Sequence, residues 1–238
     1  GVLAGAQYMV GRESKSRFNE PSAPDKADQM TLGCSIQWNS KDFGKEVSFP
    51  EIDYGFSFNE ESFQEVTRGA WTWENGMMRD QIEEGETIRD YGMLAILANW
   101  SYLKNHSSVR DKYRNRNINW MGYISGRRES RRLVGDYVMT ENDFWSGKMP
   151  EDATLTIDLH YPDPQNTKFF AGREFISVCH QCETPLTPIP YRCLYSKDVK
   201  NLFMAGRDIS VSHIALGSVR VMRTTAMMGE VVGMAAAV

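Results

Sequence analysis

Apolar residues recur at Ile88, Tyr91, Leu94, Ala95, Leu97, Ala98 and Leu103. That is the spacing of a helix with one buried face, so residues 87–104 are predicted helical. Elsewhere the pattern shortens. Residues 31–39, 67–74, 120–124, 131–139 and 153–160 carry alternating or aromatic-rich runs that predict strands. Residues 2–10 are rich in small side chains and predict a helix or a helix end. The polar stretch 14–28, with Pro21 and Pro24, predicts a loop. A turn-rich, Phe-containing excursion follows to about residue 59, and the basic stretch 110–116 reads as solvated. At the end, an apolar run over 202–205 predicts a strand that stops at Gly206. A polar turn comes next, then a small-residue helix with Gly229 and Gly233 four apart and Ala235, Ala236 and Ala237 behind them.

Strands outnumber helices, and they do not alternate with them as in a doubly wound sheet. The pattern therefore predicts an α+β chain with a mixed or antiparallel sheet in its middle. The chain has 238 residues, 41% of them hydrophobic and 24% charged. That is the composition of a globular protein with a sizeable core. A net charge of -4 gives no reason to expect nucleic acid or an anionic membrane as partner. The apolar C-terminal segment is broken by Arg220, Arg223 and Glu230. It falls short of the uninterrupted apolar length that a membrane span needs. Four cysteines are too few for a disulfide scaffold. Cys179 and Cys182 have the spacing of half a zinc site, but a second ligand pair is missing. Two partly buried thiols at the end of a strand over 175–178, without metal, is the simpler reading.

Several blocks carry candidate chemistry. The closing segment places Ala205, Gly206, Arg207, Asp208, Ser210, His213, Ala215, Gly217, Ser218, Arg220 and Met222 between the strand and the helix. Gly126, Arg127, Arg128, Glu129, Ser130, Arg131 and Arg132 run into Gly135, Asp136 and Tyr137. Ile157, Asp158, Leu159, His160, Tyr161 and Pro162 form a third block, and Leu3, Ala4, Gly5 and Ala6 with Gly11, Arg12, Glu13 and Ser14 a fourth. Taken in chain order, they resemble the FAD-dependent oxidoreductases with the glutathione-reductase type of FAD fold. The resemblance is to a subgroup whose bacterial members are labelled FAD-dependent oxidoreductase or xanthan lyase.

That resemblance implies a split FAD/NAD(P)-binding domain, residues 1–28 and 166–238, with a substrate domain over 29–165 inserted into it. The expected cofactor is FAD. The family's opening GxGxxG turn, which lets the backbone approach the pyrophosphate, is absent from this sequence. The chain therefore reads as the C-terminal part of a longer flavoprotein that is inactive, and holds FAD poorly, without its N-terminal segment. A leader peptide is not visible, and the compartment stays open.

The resemblance implies roles residue by residue. Gly206, Arg207, Asp208, Ser210, Gly217, Ser218 and Arg220 are expected to contact the cofactor. Relatives in the wider fold have an acid directly after the glycine; here Arg207 stands there and Asp208 follows. His213 and His160 are the candidate bases, since an imidazole suits proton transfer as a hydride leaves. Arg128, Arg131 and Tyr161 are the candidate substrate contacts, because a guanidinium grips carboxylate or phosphate in two places. A salt-bridge network of the arginines with Glu129 and Asp136 is the structural alternative. The expected substrate is a small or carbohydrate-like molecule undergoing two-electron transfer. A polysaccharide lyase using His160 or Tyr161 with Arg128 remains an alternative. A third is a carbohydrate-binding surface at Trp71 and Trp73, which point the same way if they lie on one strand.

Overall fold

The computed structural model describes residues 1–69, 73–147, 153–157, 160–163, 178–181 and 184–238, with 153–157, 160–163 and 178–181 described by their backbone. The strands are β1 Tyr8–Met9, β2 Trp38–Asp42, β3 Arg68–Gly69, β4 Arg116–Met121, β5 Arg132–Leu133, β6 Ala153–Ile157, β7 His160–Asp163, β8 Val178–Gln181 and β9 Thr187–Pro190. The helices are α1 Lys15–Phe18, α2 Gly85–Asn105, α3 Glu141–Ser146, α4 His213–Val219 and α5 Met222–Ala236. Helices and antiparallel strand pairs together make an α+β arrangement. The chain divides into two compact units. One is assembled from Gly1–Leu32, Arg128–Asp163 and Val178–Val238; of the other, which holds Gly33–Arg127, residues 33–69 and 73–127 are described.

The Gly33–Arg127 unit is built on α2. Its sheet has the order β3-β2-β4, antiparallel throughout, with a bulge between Asn39 and Ser40. Trp38 from β2 meets Trp100 from α2 edge-on at 5.7 Å, and Trp100 meets Tyr113 at 6.3 Å. Such T-shaped contacts set the positive ring edge against the negative face. Residues 43–66 form no sheet ladder, so their backbone polar groups need other partners. Side chains of α2 supply several. Asn99 Oδ1 accepts from the Gln64 amide at 2.7 Å and its Nδ2 donates to the Gln64 carbonyl at 3.0 Å. Ser101 Oγ accepts from the Ile52 amide at 3.0 Å, and Lys104 Nζ donates to the Val47 carbonyl at 2.6 Å.

In the other unit, residues 132–139 thread between the N-terminal segment and the 208–212 loop. Val134 N–H donates to the Gln7 carbonyl and Leu133 N–H to the Asp208 carbonyl. Farther on, Met139 N–H donates to the Ser210 carbonyl, and Ser212 N–H donates back to the Met139 carbonyl. Gly135 belongs in this strip because an added Cβ would sit 2.4 Å from the Arg192 carbonyl oxygen and 2.9 Å from that of Tyr195. β1 pairs with β5, β6 with β9 and β7 with β8. α4 lies against β7, and α5 against β6. Thr140 and Asp143 close a capping box that starts α3. Leu133, Met139, Phe144, Leu194, Ile209, Val211, Leu216 and Val219 form the centre of the core.

Several expectations shift. Residues 202–205 make a single bridge, Phe203 to Tyr195, rather than a strand. The segment has no partner ladder among the described residues, and its amides are used in local turns and in the Met204 to Leu194 bond. The C-terminal helix is two helices, α4 and α5, broken at Arg220 and Val221. Residues 2–10 form a single 3-10 turn, Val2–Ala4, followed by β1. The predicted loop over 14–28 contains α1. Residues 31–37 touch neighbours through isolated bridges at Cys34 and Ser35 before β2 begins at Trp38. Trp73 is not a surface platform: it is buried, with φ 57°, and packs edge-on against Phe58 at 6.1 Å. Trp71 lies outside the described residues, as does Cys182, and Cys179 is described by its backbone.

Trp100 is fully buried whereas Trp120 is 50% exposed. Trp100→Ala is expected to cost about 3–5 kcal/mol in urea unfolding, and Trp120→Ala less than about 1 kcal/mol.

Candidate active site

Helix α4 starts at a side chain suited to starting helices. Ser212 has extended backbone angles, and its Oγ accepts the Ala215 N–H at 3.2 Å. The same hydroxyl donates to Glu20. The next residue is His213, 1% exposed. Its backbone N–H, one of the donors a helix start leaves unpaired, goes to Glu13 Oε2 at 2.9 Å. Its ring Nδ1 lies 3.0 Å from Glu129 Oε2. The histidine is thus held by its backbone and by one ring nitrogen, each on a different carboxylate.

Those two carboxylates share one cation. Arg132 is fully buried, with Nη2 3.0 Å from Glu13 Oε1 and Nε 3.1 Å from Glu129 Oε1. Its Nη1 donates to the Val211 carbonyl at 3.0 Å, and its Nη2 to that of Gly11. Gly11 has φ +75°, and a Cβ there would fall 2.0 Å from the Asp28 carbonyl oxygen. Only glycine therefore lets the residue 11 carbonyl reach Arg132 from this turn. Glu129 also accepts the Leu32 N–H at 2.7 Å. Burial pushes the Glu129 carboxyl up, but the attraction of His213 in its protonated form, the Arg132 charge and the hydrogen bonds from His213 and Leu32 outweigh it. The carboxyl is held below its usual range.

A second pair of acids lies alongside. Glu20 Oε1 accepts from Ser212 Oγ and, at 2.8 Å, from the Glu141 N–H. Glu141 in turn accepts from the Ser22 N–H at 2.8 Å and the Ser22 hydroxyl at 2.7 Å. Among the described residues, Glu20 pairs with no cation. Burial raises its pKa, Glu13 and Glu141 add to the rise, and the two hydrogen bonds only partly offset it. Asp28, by contrast, is drawn below its usual range despite burial, because Arg12 grips both its oxygens and the Met30 N–H donates to it.

Arginine nitrogens aside, three buried polar atoms of this region have no hydrogen-bond partner among the described residues: His213 Nε2, Glu20 Oε2 and Ser210 Oγ. Two belong to the 210–213 segment, and the third to the residue bonded to Ser212. Leaving such an atom unmet costs about 1–3 kcal/mol.

The remaining expected site residues scatter. Gly217 and Ser218 are buried along α4, with Arg220 half-buried at its C-cap. Gly206 is half-buried and outside the left-handed region, so its turn does not demand glycine. Arg207 and Asp208 are exposed, and Asp208 serves the fold through its carbonyl. Arg131 is half-buried, its guanidinium 5.5 Å from the centre of the Tyr8 ring; Arg128 is half-buried too. His160 and Tyr161 stand on β7, the strand against α4, and their side chains lie outside the description. The arginine block thus supplies Arg132 to a Glu129 network, while Asp136 accepts from Tyr195 at 2.9 Å instead. Sequence reasoning does not find Glu13, Glu20, Glu141 or Ser212 as site residues. Of these, Ser212 alone carries a local signal, a capping type just before a helix.

The sequence model of the FAD dependent oxidoreductase family matches residues 1–238, and the chain belongs to that family. Membership makes it an FAD-dependent oxidoreductase. Comparison with curated proteins and with solved structures finds no match. Among the described residues, no helix is long and apolar enough to cross a membrane, and no group of metal-ligating side chains converges. The cluster suits one part of the cofactor better than another. Four carboxylates around one arginine and one histidine disfavour a diphosphate, whereas the three unmet atoms suit the uncharged, hydrogen-bonding edge of a flavin ring or a substrate hydroxyl.

Removing the shared cation strands two buried carboxylates, so Arg132→Ala is expected to cost about 3–5 kcal/mol by denaturant titration. Glu20 and Glu129 oppose one another in pH dependence. Glu129, with its lowered pKa, contributes stability above the unfolded value of 4.5 that is lost as pH falls. Glu20, with its raised pKa, contributes stability below 4.5 that is lost as pH rises. Glu20→Gln should therefore match the parent near pH 4 and melt at a higher temperature near pH 8; a lower melting temperature at pH 8 would contradict the assignment.

Proposed function

We propose that the protein oxidises a small hydroxylated, carbohydrate-like substrate by two-electron transfer, with His213 Nε2 accepting the hydroxyl proton. The observation carrying this reading is the unmet Nε2 on a ring whose other nitrogen and backbone are both fixed by carboxylates. FAD, when bound, supplies the electron acceptor. The protein's own task is then to orient the hydroxyl and take its proton. His213 suits this because an imidazole exchanges a proton near neutral pH, and the ion pair with Glu129 stabilises the imidazolium that results. Glu20 Oε2 and Ser210 Oγ are further hydrogen-bonding groups for a polyhydroxylated molecule. A glutathione-reductase type of FAD fold, with the subgroup's arginine block near the substrate, belongs to the same proposal.

The holoprotein that includes the family's N-terminal FAD-binding segment should carry an oxidised-flavin absorption band that bleaches anaerobically with one or more members of a panel of aldoses and polyols. His213→Asn should keep the flavin and slow the bleaching by about 10²–10⁴-fold. A folded protein that includes the family's N-terminal FAD-binding segment and stays colourless in excess FAD would defeat the proposal, as would unchanged bleaching by His213→Asn.

A further inference from the structure

We propose that Glu129 is a positioning residue that fixes the protonation pattern of His213, keeping a proton on Nδ1 so that Nε2 alone exchanges with the substrate. The inference rests on the reading of His213 as proton acceptor and concerns what makes it one. A free imidazole divides its single proton between two nitrogens, and only the form protonated at Nδ1 has a lone pair at Nε2. Glu129 Oε2 lies 3.0 Å from Nδ1 and is itself in a position where it must accept. Its carboxylate is fully buried, bonded by the Leu32 N–H at 2.7 Å and paired with Arg132 Nε at 3.1 Å, so its charge is held in place by fixed donors. A charged acceptor facing Nδ1 makes a bare Nδ1 costly. Nε2, buried and without a partner among the described residues, is the ring atom left for exchange.

The orientation is fixed as well as the tautomer. Ring rotation about the side-chain bonds would break the Glu129 contact. Displacement of the backbone would break the 2.9 Å bond from the His213 N–H to Glu13. Glu13 and Glu129 are tied through Arg132, so both anchors move as one body. When the substrate hydroxyl gives up its proton, its O–H bond breaks and an Nε2–H bond forms. The positive charge that arrives on the ring then faces a carboxylate already present, and no group has to reorganise.

Nitrogen-15 spectra of the histidine rings test this without any substrate. The chain has four histidines, and the signals missing in His213→Asn identify the ring. In the parent protein, the neutral ring of His213 should carry its proton on Nδ1 and leave Nε2 bare. Glu129→Gln should lose the uniform Nδ1–H pattern and slow flavin bleaching about 10- to 100-fold, with the half-saturating polyol concentration little changed. A parent protein with Nδ1 bare and Nε2 protonated near pH 8 overturns the inference, and so does a folded Glu129→Gln with unchanged ring spectra and bleaching. If Glu129→Gln does not fold, the parent titration decides alone. The two proposals fail separately. The expected spectra with full activity in His213→Asn refute the proton acceptor but leave the positioning. The wrong tautomer with an inactive His213→Asn does the reverse.

Discussion

A guanidinium taken out of water must be offset by its partners, because arginine does not escape by losing its proton. Arg132 is fully buried and is met by two carboxylates and two backbone carbonyls. Those partners come from the turn at residues 11–13, from Glu129 three residues earlier, and from Val211 just before α4. Three stretches distant in sequence therefore converge on one charge. Remove the charge and each carboxylate becomes a buried anion facing another. The pairing joins these three stretches across strand pairs that are themselves short.

The same network explains why His213 is both rigid and incompletely satisfied. Its backbone N–H and Nδ1 are held by the two acids that Arg132 joins. A purely structural histidine in such a position would find a partner for its second nitrogen as well, since buried polar groups are nearly always paired. Nε2 is instead left unmet among the described residues, as are Glu20 Oε2 and Ser210 Oγ. Buried atoms without partners among the described residues also occur elsewhere, at Trp38 Nε1 and Trp73 Nε1 among others, so it is the charged setting of His213 that sets this one apart. At Glu20, burial and its acidic neighbours raise the pKa above the usual carboxylate range, and the hydrogen bonds from Ser212 and Glu141 only partly offset that.

How much of this is legible in the sequence follows from the range of each interaction. α2 can be read because its apolar spacing is a local signal, and it spans Gly85–Asn105 where the spacing predicts 87–104. The run over 202–205 reads as a strand because four apolar residues in a row do not reveal whether a partner strand exists. Trp73 fits a strand pattern equally well, yet its backbone turns into the left-handed region and the ring goes inward. At the site, His213 stands out by residue type. Glu20 lies in the stretch 14–28 that reads as a loop and Glu13 just before it, and nothing local announces their distant partners. Their importance lies in pairings with |i−j| of 200 and 192. The arginine block shows the opposite limitation: its density is visible, but not that Arg132 goes inward while Arg131 lies over Tyr8.

Placing the histidine at the first turn of a short helix has a further consequence. In α4 every residue from His213 to Val219 is buried, and Ala215, Gly217 and Ser218 keep it slim. A slim, fully buried helix has little room to shift along its axis, because movement in either direction meets packed atoms. Ser212 fixes its start, and the Met139 carbonyl holds the Ser212 N–H at 2.8 Å. Small side chains therefore serve the chemistry indirectly. They allow the core to close around the helix, and closure holds the imidazole at its end against Glu129 and its backbone N–H against Glu13.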